Sequence, residues 1–185
     1  MAAVSALCRV TTLRREPDAL RHNTIQPVDY VISGSAEGAL HCWRLKQSAS
    51  ELSKSSSKTK RRQRTTHAGR SLLTGKLVKI SLGAHATKIV GCTGYHFQST
   101  TYIVTGSSDS VIKVWEVPKL KMASFFQSSA NDGVSVGARP QLTALLPLAH
   151  LKTKQHTADS VAPPLLVCGF DNGALSLWAI PLAGY

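Results

Sequence analysis

Three stretches of this chain repeat one another: Tyr30–Arg44, Tyr102–Glu116 and Leu165–Ala179. Each runs through apolar residues into a Gly, crosses a short polar turn and continues as an alternating segment that ends on Trp. The Gly stands nine positions before the Trp each time (Gly34 and Trp43, Gly106 and Trp115, Gly169 and Trp178), and these are the chain's only three Trp. Such a repeat constrains the architecture before any single residue is interpreted. A unit too small to bury its own apolar face must stack on its neighbours.

Within each copy, Val31–Ser33, Ile103–Thr105 and Leu166–Cys168 read as short buried strands, rich in β-branched residues. The turns that follow, Ala36–Gly38, Ser108–Ser110 and Asp171–Gly173, are built from residues that tolerate tight hairpins. The next segment alternates. Leu40, Cys42, Ile112 and Val114 point one way, His41, Lys113 and Ser176 the other. Strand, turn and alternating strand make an antiparallel hairpin, written three times.

This hairpin resembles the second and third strands of a WD40 repeat, the four-stranded blade of a β-propeller. The middle copy matches best. Gly83-Ala84-His85 is similar to the family's Gly-His, Ile89–Cys92 to its first strand, and Trp115-Glu116 stands where the family has Trp-Asp. The resemblance implies a structural tetrad of His85, Thr105, Asp109 and Trp115, in which the Asp orients the His, the His meets the hydroxyl and the hydroxyl meets the indole N–H. The outer copies depart from this pattern. The first has Ser33, Glu37 and Trp43 without a His, and the third has Cys168 and Asn172 before Trp178. These blades are expected to rely on packing, with Trp43 and Trp178 wedged between blades.

WD repeats run to about 40–45 residues and propellers to about 4–8 blades. The 185 residues therefore predict an all-β chain, a partial β-propeller of about three WD40 blades. It reads as a fragment of a larger, seven-bladed propeller, needing further blades from the same or another chain. A truncated or degenerate WD-repeat gene product is the alternative. The first blade is assigned to 1–83, with Val4–Val10 as its first strand and a disordered basic insertion over 46–70. The second takes 84–127. The third takes 128–185 and is expected to be incomplete at its C-terminal end.

The insertion carries the clearest composition signal. Formal net charge is +12, and eight of the 22 basic residues lie between Lys46 and Arg70, against the single acid Glu51. Lys58, Lys60, Arg61, Arg62 and Arg64 place five positive charges in seven positions. Three readings stay open: a solvated loop, a nuclear localisation signal, or a nucleic-acid patch that releases counterions from phosphates. No aromatic residue interrupts the run, so bases have no stacking platform there. The first fifteen residues hold three Arg and no acid, as a mitochondrial presequence would, but their alternation suits a blade strand better.

Catalytic signatures are missing. Thr74-Gly75-Lys76 lacks the first Gly of a phosphate loop, and no G-x-S-x-G or H-E-x-x-H spacing occurs. Cys8, Cys42, Cys92 and Cys168 form no C-x-x-C pair and are expected to be reduced core thiols, which fits the nucleus or cytoplasm. No apolar run reaches the roughly 18 residues that cross a membrane. The sequence thus predicts no enzyme, no cofactor and no metal. It predicts a WD-repeat scaffold for protein partners in a multisubunit, nuclear complex. A looser resemblance, over His85–Trp115, to the WD-repeat subunit of a pre-60S maturation complex suggests ribosome biogenesis. The second hypothesis is an RNA-binding propeller that grips phosphates through the insertion.

Overall fold

The computed structural model describes residues 3–17, 23–47, 73–97, 99–127, 140–148 and 164–180. Every element among them is a strand: β1 Val4–Pro17, β2 Asn23–Ser35, β3 Leu40–Gln47, β4 Leu73–Ser81, β5 Ile89–Phe97, β6 Thr100–Ser107, β7 Val111–Glu116, β8 Lys121–Gln127, β9 Leu142–Leu148, β10 Leu165–Phe170 and β11 Leu175–Ala179. They pair antiparallel into sheet I (β1-β2-β3-β4), sheet II (β5-β6-β7-β8) and sheet III (β9-β10-β11). This all-β arrangement is consistent with part of a β-propeller. The first strands line up beside one another, β1 against β5 and β5 against β9.

Each repeat's polar turn closes the same way. Gly38 N–H donates to Ser35 O, Ser110 N–H to Ser107 O and Gly173 N–H to Phe170 O, at 3.2, 2.9 and 3.1 Å. The third turn residue adopts a left-handed backbone, with φ of 78°, 66° and 82°. Gly takes this conformation freely, and Ser110 is held in it by a bond from its Oγ to Pro140 O at 3.0 Å. The first strand is tied to the turn by Ala36 N–H to Ala3 O, Ser108 N–H to Lys88 O and Asp171 N–H to Gln141 O.

A β-bulge marks the start of each sheet, leaving Ser5, Val90 and Thr143 as the extra residue. Ser5 and Thr143 use it to donate to the carbonyls of Gly34 and Gly169, at 3.3 and 3.1 Å. A second bulge stands opposite Trp43 and Trp115, where Val78 and Ala123 are the extra residues of the fourth strand. Sheet I is longer than the sequence suggests. Its first strand runs beyond Val10 to Pro17, paired with β2 along its length, and Asp29 bridges Thr11 Oγ1 (2.6 Å) and Arg9 Nη2 (2.7 Å) where the extension begins.

Two apolar cores fill the spaces between sheets. Tyr30, Ile32, Leu40 and Cys42 of sheet I meet Ile89, Ile103, Trp115 and Val117 of sheet II. Val104, Ile112 and Val114 of sheet II meet Leu142, Leu166, Cys168 and Phe170 of sheet III. The repeated Gly governs both seams. A Cβ on Gly34 would stand 2.7 Å from Ile89 Cγ2, and one on Gly106 would stand 2.2 Å from Leu142 Cδ2. Ile89 and Leu142, the first residues of their sheets, occupy the space left by the Gly of the preceding sheet.

Gly34→Ala should therefore cost about 1–3 kcal/mol of stability, the range for overpacking against a stiff β-branched neighbour. Gly169→Ala, where the nearest atom would be 3.5 Å away, should be close to neutral. Urea unfolding midpoints of the two variants check the difference.

Candidate functional site

The middle blade gathers the buried polar groups. Two strands and a turn deliver them for plain reasons: Thr105 faces the first seam by alternation along β6, Trp115 stands on β7 opposite the bulge of β8, and His85 sits in the turn before β5. His85 is fixed there by its own N–H, which donates to Gly38 O at 2.9 Å. Its Nε2 lies 2.7 Å from Thr105 Oγ1, and the Trp115 indole N–H donates to the same oxygen at 2.8 Å. His85 and Thr105 are almost wholly buried, at 2% and 0% exposure. The Lys113 ammonium closes the group by donating to Ala84 O at 2.6 Å.

Asp109 departs from its expected role. Its carboxylate is hydrogen-bonded by Ser107 Oγ and by Val111 N–H at 3.3 Å, while His85 Nδ1 is buried and meets no hydrogen-bond partner among the described residues. The physical reason is local competition. Ser107 and Val111 are both two residues from Asp109 and offer their donors at no cost in chain ordering. Asp109 therefore braces the turn and acts on His85 only through its field. Burial, then the Lys113 charge, lowers the His85 pKa to about 4, with Asp109 pulling the other way. The ring is neutral at physiological pH. Burial works to raise the Asp109 carboxyl, but Ser107, Val111 and Thr87 together hold it below its usual value.

The outer blades repeat fragments of this chain. Trp43 donates to Ser33 Oγ at 3.3 Å, and Trp178 turns to Ser176 Oγ at 2.7 Å. Trp178 lies between blades, 5.4 Å from the Phe126 ring of sheet II. Trp43 does not. It shares a face with Ser33, opposite the Ile32 and Cys42 face that meets sheet II, so it looks outward. Asn172 caps the third turn by accepting from Ala174 N–H at 3.0 Å.

Lys58, Lys60, Arg61, Arg62 and Arg64 lie outside the described residues, as does the rest of 48–72. Among the described residues no three His, Cys, Asp or Glu side chains come together as a metal site would need. A cleft of about 390 Å³ opens between sheets I and II, lined by Thr12, Leu13, Tyr30, Thr100, Glu116 and Pro118 among others. The sequence reading missed this cleft, whose walls come from four separate stretches of chain, and missed the approach of Cys8 to Cys92. The arrangement can hold sheets together and present surfaces.

The three sheets and the buried polar chain are together consistent with part of a β-propeller. No protein-family model matches the chain. Part of it is similar to transducin beta-like protein 3, a WD-repeat protein: 109 residues are 28% identical to the Bos taurus protein and 107 residues are 29% identical to the Mus musculus protein. Each match covers 58% of this chain and 13% of the relative. This partial likeness supports the WD-repeat assignment. Among solved structures, the computationally designed Ika4 protein aligns over 97% of this chain and 92% of its own at 14% identity, with a TM-score of 0.30. A superposition that loose carries no argument.

Two outcomes follow from the buried chain. Thr105→Val should destabilise the protein by about 1–3 kcal/mol, since it strands the indole N–H and the imidazole. The second concerns pH. A base whose pKa falls from 6.5 to about 4 on folding binds fewer protons folded than unfolded, so its contribution is whole above pH 6.5 and drains as pH drops toward 4. The loss should approach about 3 kcal/mol. Thermal melts across that window should show the slope, and His85→Gln should flatten it.

Proposed function

We propose that this chain is a non-enzymatic WD-repeat scaffold that binds other proteins within a nuclear assembly, of the kind found in ribosome biogenesis. One observation carries the reading. Among the described residues, the buried polar groups of the middle sheet are used in folding, while the two end faces expose several large apolar side chains. On sheet I, Leu7, Leu77 and Ile80 are 64%, 37% and 42% exposed beside Trp43, and on sheet III, Leu146, Leu175 and Leu177 are 58%, 76% and 59% exposed.

These faces match halves of the buried seams. Leu175 and Leu177 hold the repeat positions of Ile112 and Val114, which are both 0% exposed. Val4 begins sheet I as Ile89 and Leu142 begin theirs, yet it is 66% exposed where they are 0% and 1%. Further blades, from the same or another chain, fit both faces. Contiguous exposed apolar patches mark interaction surfaces. The nuclear part of the reading rests on the basic run at Lys58–Arg64, and the biogenesis part on the likeness of His85–Trp115 to a pre-60S subunit.

Tagged full-length chain and a form lacking Lys58–Arg64 should be compared in cells and by sedimentation. The full chain is expected in the nucleus, travelling with large particles after nuclease treatment, and the deletion form outside it with an unchanged melting midpoint. A full chain confined to the cytoplasm would remove the nuclear part. Migration as free protein would remove the assembly. Salt-steep RNA binding lost with the deletion would favour the RNA-binding reading instead.

A further inference from the structure

Strands β1 and β5 run side by side at a constant offset in sequence, and two contacts fix how near they come. At one end Ser5 Oγ donates across the seam to Ile89 O at 2.6 Å. At the other, Val10 lies so close to Gly94 that a Cβ there would stand 2.0 Å from Val10 Cγ1. Between these contacts, Cys8 of sheet I and Cys92 of sheet II bring their Sγ atoms to 2.7 Å, although 84 positions separate them. Both are half-buried free thiols at the margin of the first core. A disulfide needs about 2.05 Å between sulfurs, so roughly 0.7 Å of closure completes the bond.

We infer that Cys8 and Cys92 form a reversible, intramolecular disulfide that latches the first blade to the second when a hydroperoxide oxidant is present. The Cys8 sulfur attacks one peroxide oxygen, the O–O bond breaks, and Cys8 becomes a sulfenic acid as the first water leaves. The Cys92 sulfur then attacks the Cys8 sulfur. The S–S bond forms, the S–O bond breaks, and hydroxide departs with the Cys92 proton as the second water. Two thiols and one hydrogen peroxide thus give one disulfide and two waters. Contact with Cys8 and burial raise the Cys92 pKa, and its proton leaves with the hydroxide in the second step. The other two thiols are closed off from solvent. Cys42 and Cys168 are both 0% exposed, and burial, then the charge of Cys8, pushes the Cys42 thiol up to about 12. A thiol reductant such as glutathione reopens the latch by exchange.

Purified full-length protein treated with stoichiometric hydrogen peroxide tests this directly. A non-reducing tryptic map should join the peptide ending at Arg9 to the peptide beginning at Ile89, with Cys42 and Cys168 alkylated only after unfolding. The melting midpoint should rise by roughly 5–10 °C and return with dithiothreitol. Cys8→Ser and Cys92→Ser should each abolish the rise while keeping the reduced protein's melting point within a few degrees. Bridges between molecules, a Cys8–Cys42 bridge, sulfinic acid without a bridge, or a rise that survives Cys8→Ser would each overturn the inference. The wild-type map needs no variant to fold.

Discussion

A missing side chain holds the sheets in place. Where β2 and β6 pass Gly34 and Gly106, the absence of a Cβ leaves a hollow, and the first residue of the following sheet fills it. Ile89 and Leu142 are consequently buried to 0% and 1%, and everything beyond them is positioned by that fit. The bulge after each places the rest of the first strand, and the turn-to-strand bonds set its height. The apolar faces then meet with Ile32 and Cys42 against Ile103, and Val104 and Val114 against Leu166 and Cys168. Packing of this density leaves no tolerance for a methyl group in the wrong place.

The hydrogen-bonded chain through His85, Thr105 and Trp115 depends on that fit. Desolvating three polar groups is costly unless each finds a partner, and the first seam supplies both the dryness and the geometry. Gly38 of sheet I positions the His85 backbone, so the polar group belongs to two sheets at once. Sheet III reaches the same end with less. Its indole N–H is satisfied by Ser176 and its ring by Phe126. Specific chemistry is spent where the sheets join.

Much of this was legible in the residues. The hairpins, their turns and the inward Trp115 could be read because Gly, alternation and Trp lie within a dozen residues of one another. The burial of His85 and Thr105 together also followed from the family pattern. Three features were not readable. The extension of β1 to Pro17 continues the ladder with β2 through a run of polar residues that conceals a strand. The turning of Asp109 toward Ser107 and Val111 is decided by donors two residues away, against a His that is distant in sequence. The approach of Cys8 to Cys92 depends on how two first strands lie together. Setting those strands side by side would have put the two Cys within one position of each other, which was the available signal.

The glycine hollow also gives the assembly a direction. Each sheet carries a socket on one side, at its repeated Gly, and a plug on the other, at its first residue. Val4 is a plug in the open and Gly169 a socket in the open. Like ends cannot engage through such a joint, because two plugs collide and two sockets leave a void. Growth through it is head to tail only. The polarity of the chain thereby becomes a rotational sense for the described sheets, and any contact made through such a joint would be heterologous rather than isologous.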